Sequence, residues 1–293
     1  MTGRFRGIAL AAILALAACQ ETPAPARPQV VATIYPLWEL TRQVAGERAD
    51  VVSLVPPGVE PHDWEPAPRD VSLVQRASVF VHTGTGLDAW AVRLLGGLSA
   101  RTTVVNGARG LSLLRQGDGV DPHVWLDPAL ASAQAQTIAD GLAQADPAGR
   151  ATYLDNAKAL AARLDALDQA FAAGLRDCAR REVVTSHAAF AYLTRRYQLT
   201  QVPIMGSAPE AEPSPAGLAA IVQTARRARV TTVFFEPLVS PRLAQTLARE
   251  IGATAMPLDP IEGVSREQAA AGTGYVELMQ ANLAALRVGL GCR

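Results

Sequence analysis

Apolar positions recur along this chain in two alternating modes. Short runs rich in β-branched residues stand at 30–34, 51–55, 79–82, 102–105, 183–185, 231–235 and 254–258. Between them lie stretches with helical spacing, such as Leu37/Leu40/Val44 and Leu218/Ile221/Val222. Strand-then-helix alternation predicts an α/β fold of parallel sheets covered by helices on both faces. The longest helical stripe lies mid-chain, where Tyr153, Leu154, Ala157, Leu160, Ala161, Leu164, Leu167, Phe171 and Leu175 fall at three- and four-residue intervals. Asp146-Pro147 reads as an N-cap followed by proline in the first turn. The pattern predicts an N-terminal α/β lobe at 30–146, a linking helix at 147–179 and a C-terminal α/β lobe at 180–293.

The first residues follow a different rule. Residues 1–6 carry two positive charges and 7–18 are small and apolar, a stretch too short to span a bilayer permanently. An export signal is expected over 1–18. It ends in Leu16-Ala17-Ala18-Cys19, which resembles the lipobox of bacterial lipoproteins, where the cysteine is lipidated and becomes the new N-terminus. Residues 19–29, rich in proline and alanine without a hydrophobic period, suit a tether to a lipid anchor. The expected location is periplasmic, outside the cytoplasmic membrane. Export changes the reading of the remaining cysteines, because Cys178 and Cys292 in an oxidising compartment favour a disulfide over two buried thiols. Without a CxxC spacing they do not suggest a thiolate metal site.

Composition narrows the function. The 293 residues are 49% apolar and 18% charged with a formal net charge of zero, which excludes disorder as the main state. Balanced charge leaves no footprint for a polyanion, so no nucleic-acid partner is expected.

Four histidines carry the candidate chemistry. His62 lies in PPGVEPHDW, downstream of the 51–55 strand, and His123 lies in DPHVWLDP, just before a helix that Asp127 and Pro128 open. His187 follows the strand at 183–185, and Asp259 follows the strand at 254–258. Loops at the carboxyl ends of parallel strands converge on a crevice, so three imidazoles and a carboxylate can meet there, two from each lobe. Neutral imidazole nitrogen and carboxylate oxygen suit a divalent ion of borderline softness and can close a tetrahedron around zinc. The long gaps between the four exclude a local zinc finger. Glu60, Asp127, Ser186 and Glu236 are candidates for supporting the ligands, Asp63, Asp127 and Ser186 through the free ring N–H. Capping or solvation is the other reading for these three. Trp64, Trp125, Phe190 and Tyr192 flank the histidines, as a dry wall or as ordinary core. His82 reads as a hydrogen-bonded structural residue, and Gly84-Thr85-Gly86 lacks the rest of a dinucleotide fingerprint.

The stretches GVEPHDWEP, DPHVWLDP, VVTSHAAFAYL, AEPSPAGLA, VFFEP and PLDPIEGV, in that order, resemble the motifs of the metal-binding lipoproteins of bacterial ABC transporters, in particular the zinc-uptake branch. The resemblance implies two α/β lobes joined by a rigid helix. It also implies one metal ion in the cleft, held at positions matching His62, His123, His187 and Asp259, and delivery to a membrane permease by a monomer that is not an enzyme. The manganese and iron branch has a carboxylate at the His187 position, so the third imidazole tilts the expectation to zinc; a manganese or iron(II) protein of the same family is the alternative. Residues 113–121 lack the histidines that some branches carry ahead of the second motif, and Pro61 stands where some zinc members have glutamate. Two other classes are compatible with the residues. A zinc hydrolase would use three histidines and an open position, with Glu60, Asp259 or Glu236 as general base. A lipid-anchored adhesion protein would use the scaffold alone.

Overall fold

The computed structural model describes residues 27–206 and 214–293. The expected signal at 1–18, Cys19 with its lipidation, most of the tether and the start of the AEPSPAGLA motif lie outside the described residues.

The first sheet comprises β1 (Gln29–Ala32), β2 (Asp50–Ser53), β3 (Val79–His82) and β4 (Thr103–Asn106) in the order β2-β1-β3-β4, all parallel. Its connections run through α1 (Tyr35–Ala45), α2 (Pro68–Arg76) and α3 (Ala89–Leu95). The central strands are the apolar ones, with Val30, Val31, Val79, Phe80 and Val81 fully buried, as expected where helices cover both faces. A small hairpin, β5 (Arg115–Gln116) and β6 (Gly119–Val120), precedes α4 (Pro128–Ala145). Asp127 caps α4 by accepting from the backbone N–H groups of Ala129 and Leu130, with Pro128 at the first position, as its sequence predicts.

Helix α5 (Arg150–Gly174) is the linking element and, at 25 residues, is about 37 Å long. It begins three residues later than the sequence suggests, because Pro147–Gly149 forms a 3₁₀ turn. The Asp146 side chain does not cap it; its carboxylate accepts from Arg48 Nε at 2.8 Å and from the Tyr153 hydroxyl at 2.8 Å. The stripe read from spacing is the buried face, with Tyr153, Ala157, Leu160, Leu164, Leu167 and Phe171 inside. That face packs against α1 and α4 on the first sheet's side and against the C-terminal helix on the other.

The second sheet comprises β7 (Glu182–Thr185), β8 (Thr200–Pro203), β9 (Thr232–Phe235) and β10 (Thr254–Pro257) in the parallel order β10-β9-β7-β8. Around it lie α6 (Ala191–Arg196), α7 (Pro215–Arg227), α8 (Arg242–Ile251), α9 (Arg266–Ala270) and α10 (Tyr275–Leu290). Strand β8 escapes the sequence reading because Thr-Gln-Val-Pro offers one apolar residue, and its proline is tolerated only because β8 is an edge strand. The Cys178–Cys292 disulfide fastens the end of α10 to the turn after α5.

One hydrophobic core extends across both sheets, joining Val31 and Phe80 to Leu164, Phe171, Phe190, Phe234, Tyr275 and Leu286. A smaller one lies beneath α7 and α8. A wide hinge between the sheets would open that shared core, so the packing favours small adjustments near the cleft.

Candidate metal centre

Three of the four histidines converge. His62 sits in a 3₁₀ turn (Pro61–Asp63) beyond β2, His123 precedes the 3₁₀ turn Val124–Leu126, and His187 follows β7. Glu60 caps the first of these turns by accepting from the His62 N–H at 3.3 Å. The carboxylate facing the three rings belongs to Glu262. Its Oε1 lies 2.6 Å from His123 Nε2, 3.1 Å from His187 Nε2 and 3.4 Å from His62 Nε2. His123 Nε2 and His187 Nε2 are 3.4 Å apart, and all four donor atoms fall within 4.8 Å of one another.

Zinc bonds of about 2.0–2.1 Å imply a tetrahedron edge of about 3.4 Å. Two of the observed separations already equal that edge, and the shortest, 2.6 Å, is a hydrogen bond that an ion would replace. Two polar atoms at this point, His62 Nε2 and Glu262 Oε2, are buried without a hydrogen-bond partner. Orphaned polar atoms at a buried convergence are expected where a cation completes them.

The far sides of two rings are fixed in the same way. Asp121 Oδ1 accepts from the His123 backbone N–H at 2.9 Å and from Nδ1 at 2.7 Å. Glu236 Oε1 accepts from the His187 N–H at 3.1 Å and from Nδ1 at 2.7 Å. A carboxylate on Nδ1–H selects the tautomer that presents a bare Nε2 inward and raises its basicity. Glu236, the carboxylate that follows β9, holds the Nδ1 side of His187. Asp121 was not singled out from the sequence; its only signal is its place two residues before His123. Asp127 and Ser186 do other work. Asp127 caps α4, and the Ser186 hydroxyl donates to the Phe234 carbonyl at 3.3 Å.

Asp259, expected among the donors, does not face the histidines. Its Oδ1 accepts from the Ile261 N–H at 2.8 Å and its Oδ2 from Gln268 Nε2 at 3.1 Å, so both oxygens are committed to the loop itself. Glu262, three residues on in the same PLDPIEGV stretch, takes the place, and Ile261 between them adopts a left-handed conformation (φ 57°).

Charge sharpens the picture. Burial pushes Glu262 up, but the imidazoles of His187, His123 and His62 outweigh it and hold its carboxyl well below the usual range. Burial pushes His187 down, yet Glu262 and Glu236 carry it to about 10. His123 follows the same balance, with Asp121 and Glu262 overcoming burial to raise it. Glu60 is raised to about 9 by burial and by the neighbouring Glu262 charge. The four donor side chains are at most 13% exposed, His62 being the outermost, so the approach to the site runs over His62. Trp125 closes the other side, its ring centroid 5.4 Å from His123, whereas Trp64 stacks edge-on with Trp90 at 4.6 Å. His82, at the end of β3, is buried and lies parallel to Phe80 at 6.1 Å, outside the cluster.

A two-sheet α/β scaffold with a buried three-histidine, one-carboxylate cluster at its strand ends defines a metal-binding protein. The sequence comparisons give the lineage: the model of the periplasmic zinc-uptake complex component A, ZnuA, matches residues 30–289, and the chain belongs to that family. It is 36% identical over 276 residues to the high-affinity zinc uptake system protein ZnuA of Bacillus subtilis, covering 88% of this chain and 86% of that one. Among solved structures, the Zn(II)-bound ZnuA-like domain of Streptococcus pneumoniae AdcA superposes with a TM-score of 0.81 at 36% identity, covering 90% of this chain and 99% of the other. The laminin-binding protein Lmb of Streptococcus agalactiae, described as bifunctional with adhesin and metal transporting activity, gives 0.84 at 32% identity over 90% and 100% of the two chains.

Proposed function

We propose that this protein captures one zinc ion outside the cytoplasmic membrane through His62, His123, His187 and Glu262 and delivers it to the permease of an ABC importer. The observation that carries this is the convergence of three Nε2 atoms on Glu262 Oε1. Three imidazoles with one carboxylate favour zinc over manganese, which prefers oxygen donors. Lipid anchoring at Cys19, action as a monomer and two lobes linked by α5 complete the reading.

The surroundings support capture over catalysis. Asp259 has both oxygens occupied by its own loop and Glu236 Oε1 holds His187. Glu60, raised to about 9, holds its proton at neutral pH. The cavity that these carboxylates line measures about 10 Å³, room for about one water and no organic substrate. Adhesion, the other activity in the description of Lmb, has no need of a donor set sealed from solvent.

The test is elemental analysis of the purified protein after chelator stripping and reloading from equimolar zinc, manganese and iron(II). One equivalent of zinc in the parent, with weakened retention in His62→Ala, His187→Ala and Glu262→Ala, is the expected result. Undiminished retention in these variants, or none in the parent, refutes the site.

A further inference from the structure

The loop that carries Glu262 is held from outside the site, and its holder lies on a helix that contributes no donor. Asn282 of α10 is buried and makes two backbone hydrogen bonds to one residue: its Oδ1 accepts from the Asp259 N–H at 2.8 Å and its Nδ2 donates to the Asp259 carbonyl at 2.6 Å. Pro260 O accepts from Trp125 Nε1 at 2.8 Å, and Gln268 of α9 grips the Asp259 side chain. Ile261, the residue between these anchors and Glu262, is fully buried at φ 57°. A β-branched residue in the left-handed region is strained and persists only where its surroundings over-determine it.

We infer that Asn282 is a positioning residue for zinc: by pinning the backbone of Asp259 on both sides it holds the strained Ile261 turn and so aims Glu262 Oε1 at the three imidazoles. The inference rests on the four-donor reading above and assigns Asp259 a role as scaffold of the loop. Without Asn282 the turn relaxes to an ordinary conformation, the glutamate withdraws, and the site falls back to three imidazoles.

The test is a double-mutant cycle of zinc affinity by chelator competition in the parent, Asn282→Ala, Glu262→Ala and the double variant, with the visible absorption of the cobalt(II)-loaded proteins as a second readout. Asn282→Ala is expected to weaken zinc binding about 10- to 100-fold, the range for residues that orient metal ligands. Its cobalt spectrum should move to that of Glu262→Ala. In the Glu262→Ala background the same substitution should change affinity by less than about twofold, since its whole effect passes through that carboxylate. If Asn282→Ala does not fold, Asn282→Asp, which keeps an oxygen for the Asp259 N–H and loses the donor to its carbonyl, carries the same cycle. Glu262→Ala weakened with the parent tight, but Asn282→Ala equal to the parent or adding its full effect in both backgrounds, overturns the inference alone. A parent that binds no zinc, or a Glu262→Ala that binds like the parent, overturns the donor set and the inference with it.

Discussion

Zinc affinity should climb steeply with pH well past the range in which ordinary imidazoles have finished titrating. An unperturbed histidine loses its proton near 6.5, so a site of ordinary histidines would reach its full affinity by about pH 7.5. Here the metal-free cluster holds its protons longer: Glu262 and Glu236 outweigh burial and raise His187 to about 10, and Asp121 and Glu262 likewise raise His123. Zinc must displace both protons, and each displaced proton makes affinity rise about tenfold per pH unit, or about 1.4 kcal/mol. The His187 proton alone, held to about 10, should give a rise of about 100-fold between pH 6 and 8, and displacement of the His123 proton steepens the curve while that ring is charged. Competition against a chelator of known proton affinity at half-unit steps gives the slope. Calorimetry in buffers of different ionisation enthalpy counts the protons directly. Glu262→Gln keeps the shape but removes the charge, so burial should then prevail at His187 and the curve should level off by neutral pH. An affinity in the parent that is flat above about pH 7 would refute the reasoning, since it would mean that the imidazoles enter the metal-free site already neutral.

The remaining expectations concern the scaffold and its selectivity. Reducing the Cys178–Cys292 bridge, or Cys292→Ser, opens a loop closed over a sequence separation of 114 and should lower stability by up to about 4.7 kcal/mol in thermal unfolding, with zinc stoichiometry unchanged at room temperature. Leu164→Ala, at a fully buried position of α5, should cost about 2–5 kcal/mol by denaturant titration of the zinc-free protein; a loss below about 1 kcal/mol would mean that α5 is not packed as described. His82→Phe should leave the zinc affinity of the parent intact, because His82 lies outside the cluster; a tenfold loss in the same chelator competition would place it in the site after all.

Much of the architecture was legible because it depends on local patterning. Alternating β-branched runs and helical stripes specify parallel strands and their covering helices, and the seven runs named from the sequence all became strands. The α5 stripe stated in advance which face would be buried. Strand β8 stayed hidden since an edge strand needs little apolar surface, and the hairpin of β5 and β6 has two residues per strand, too few for any period to show.

At the site the division is sharper. Residue type, placement in loops between elements and the resemblance of the surrounding motifs nominated His62, His123 and His187, whereas His82 at the end of β3 lies outside the cluster. Which acid joins them was beyond the sequence. Asp259 and Glu262 share one short stretch, and the loop between them, with Ile261 left-handed, is held by Asn282 from a helix about twenty residues on and by Trp125 from the other half of the chain. Likewise, Asp121 and Glu236 differ from Asp127 and Ser186 only in whether the folded chain brings them to a ring Nδ1. Sequence determined the elements and the donor types, since both follow from local spacing and chemistry; tertiary packing decided the donor atoms, because a hydrogen bond or a metal bond is settled within a few tenths of an ångström by residues far apart in the chain.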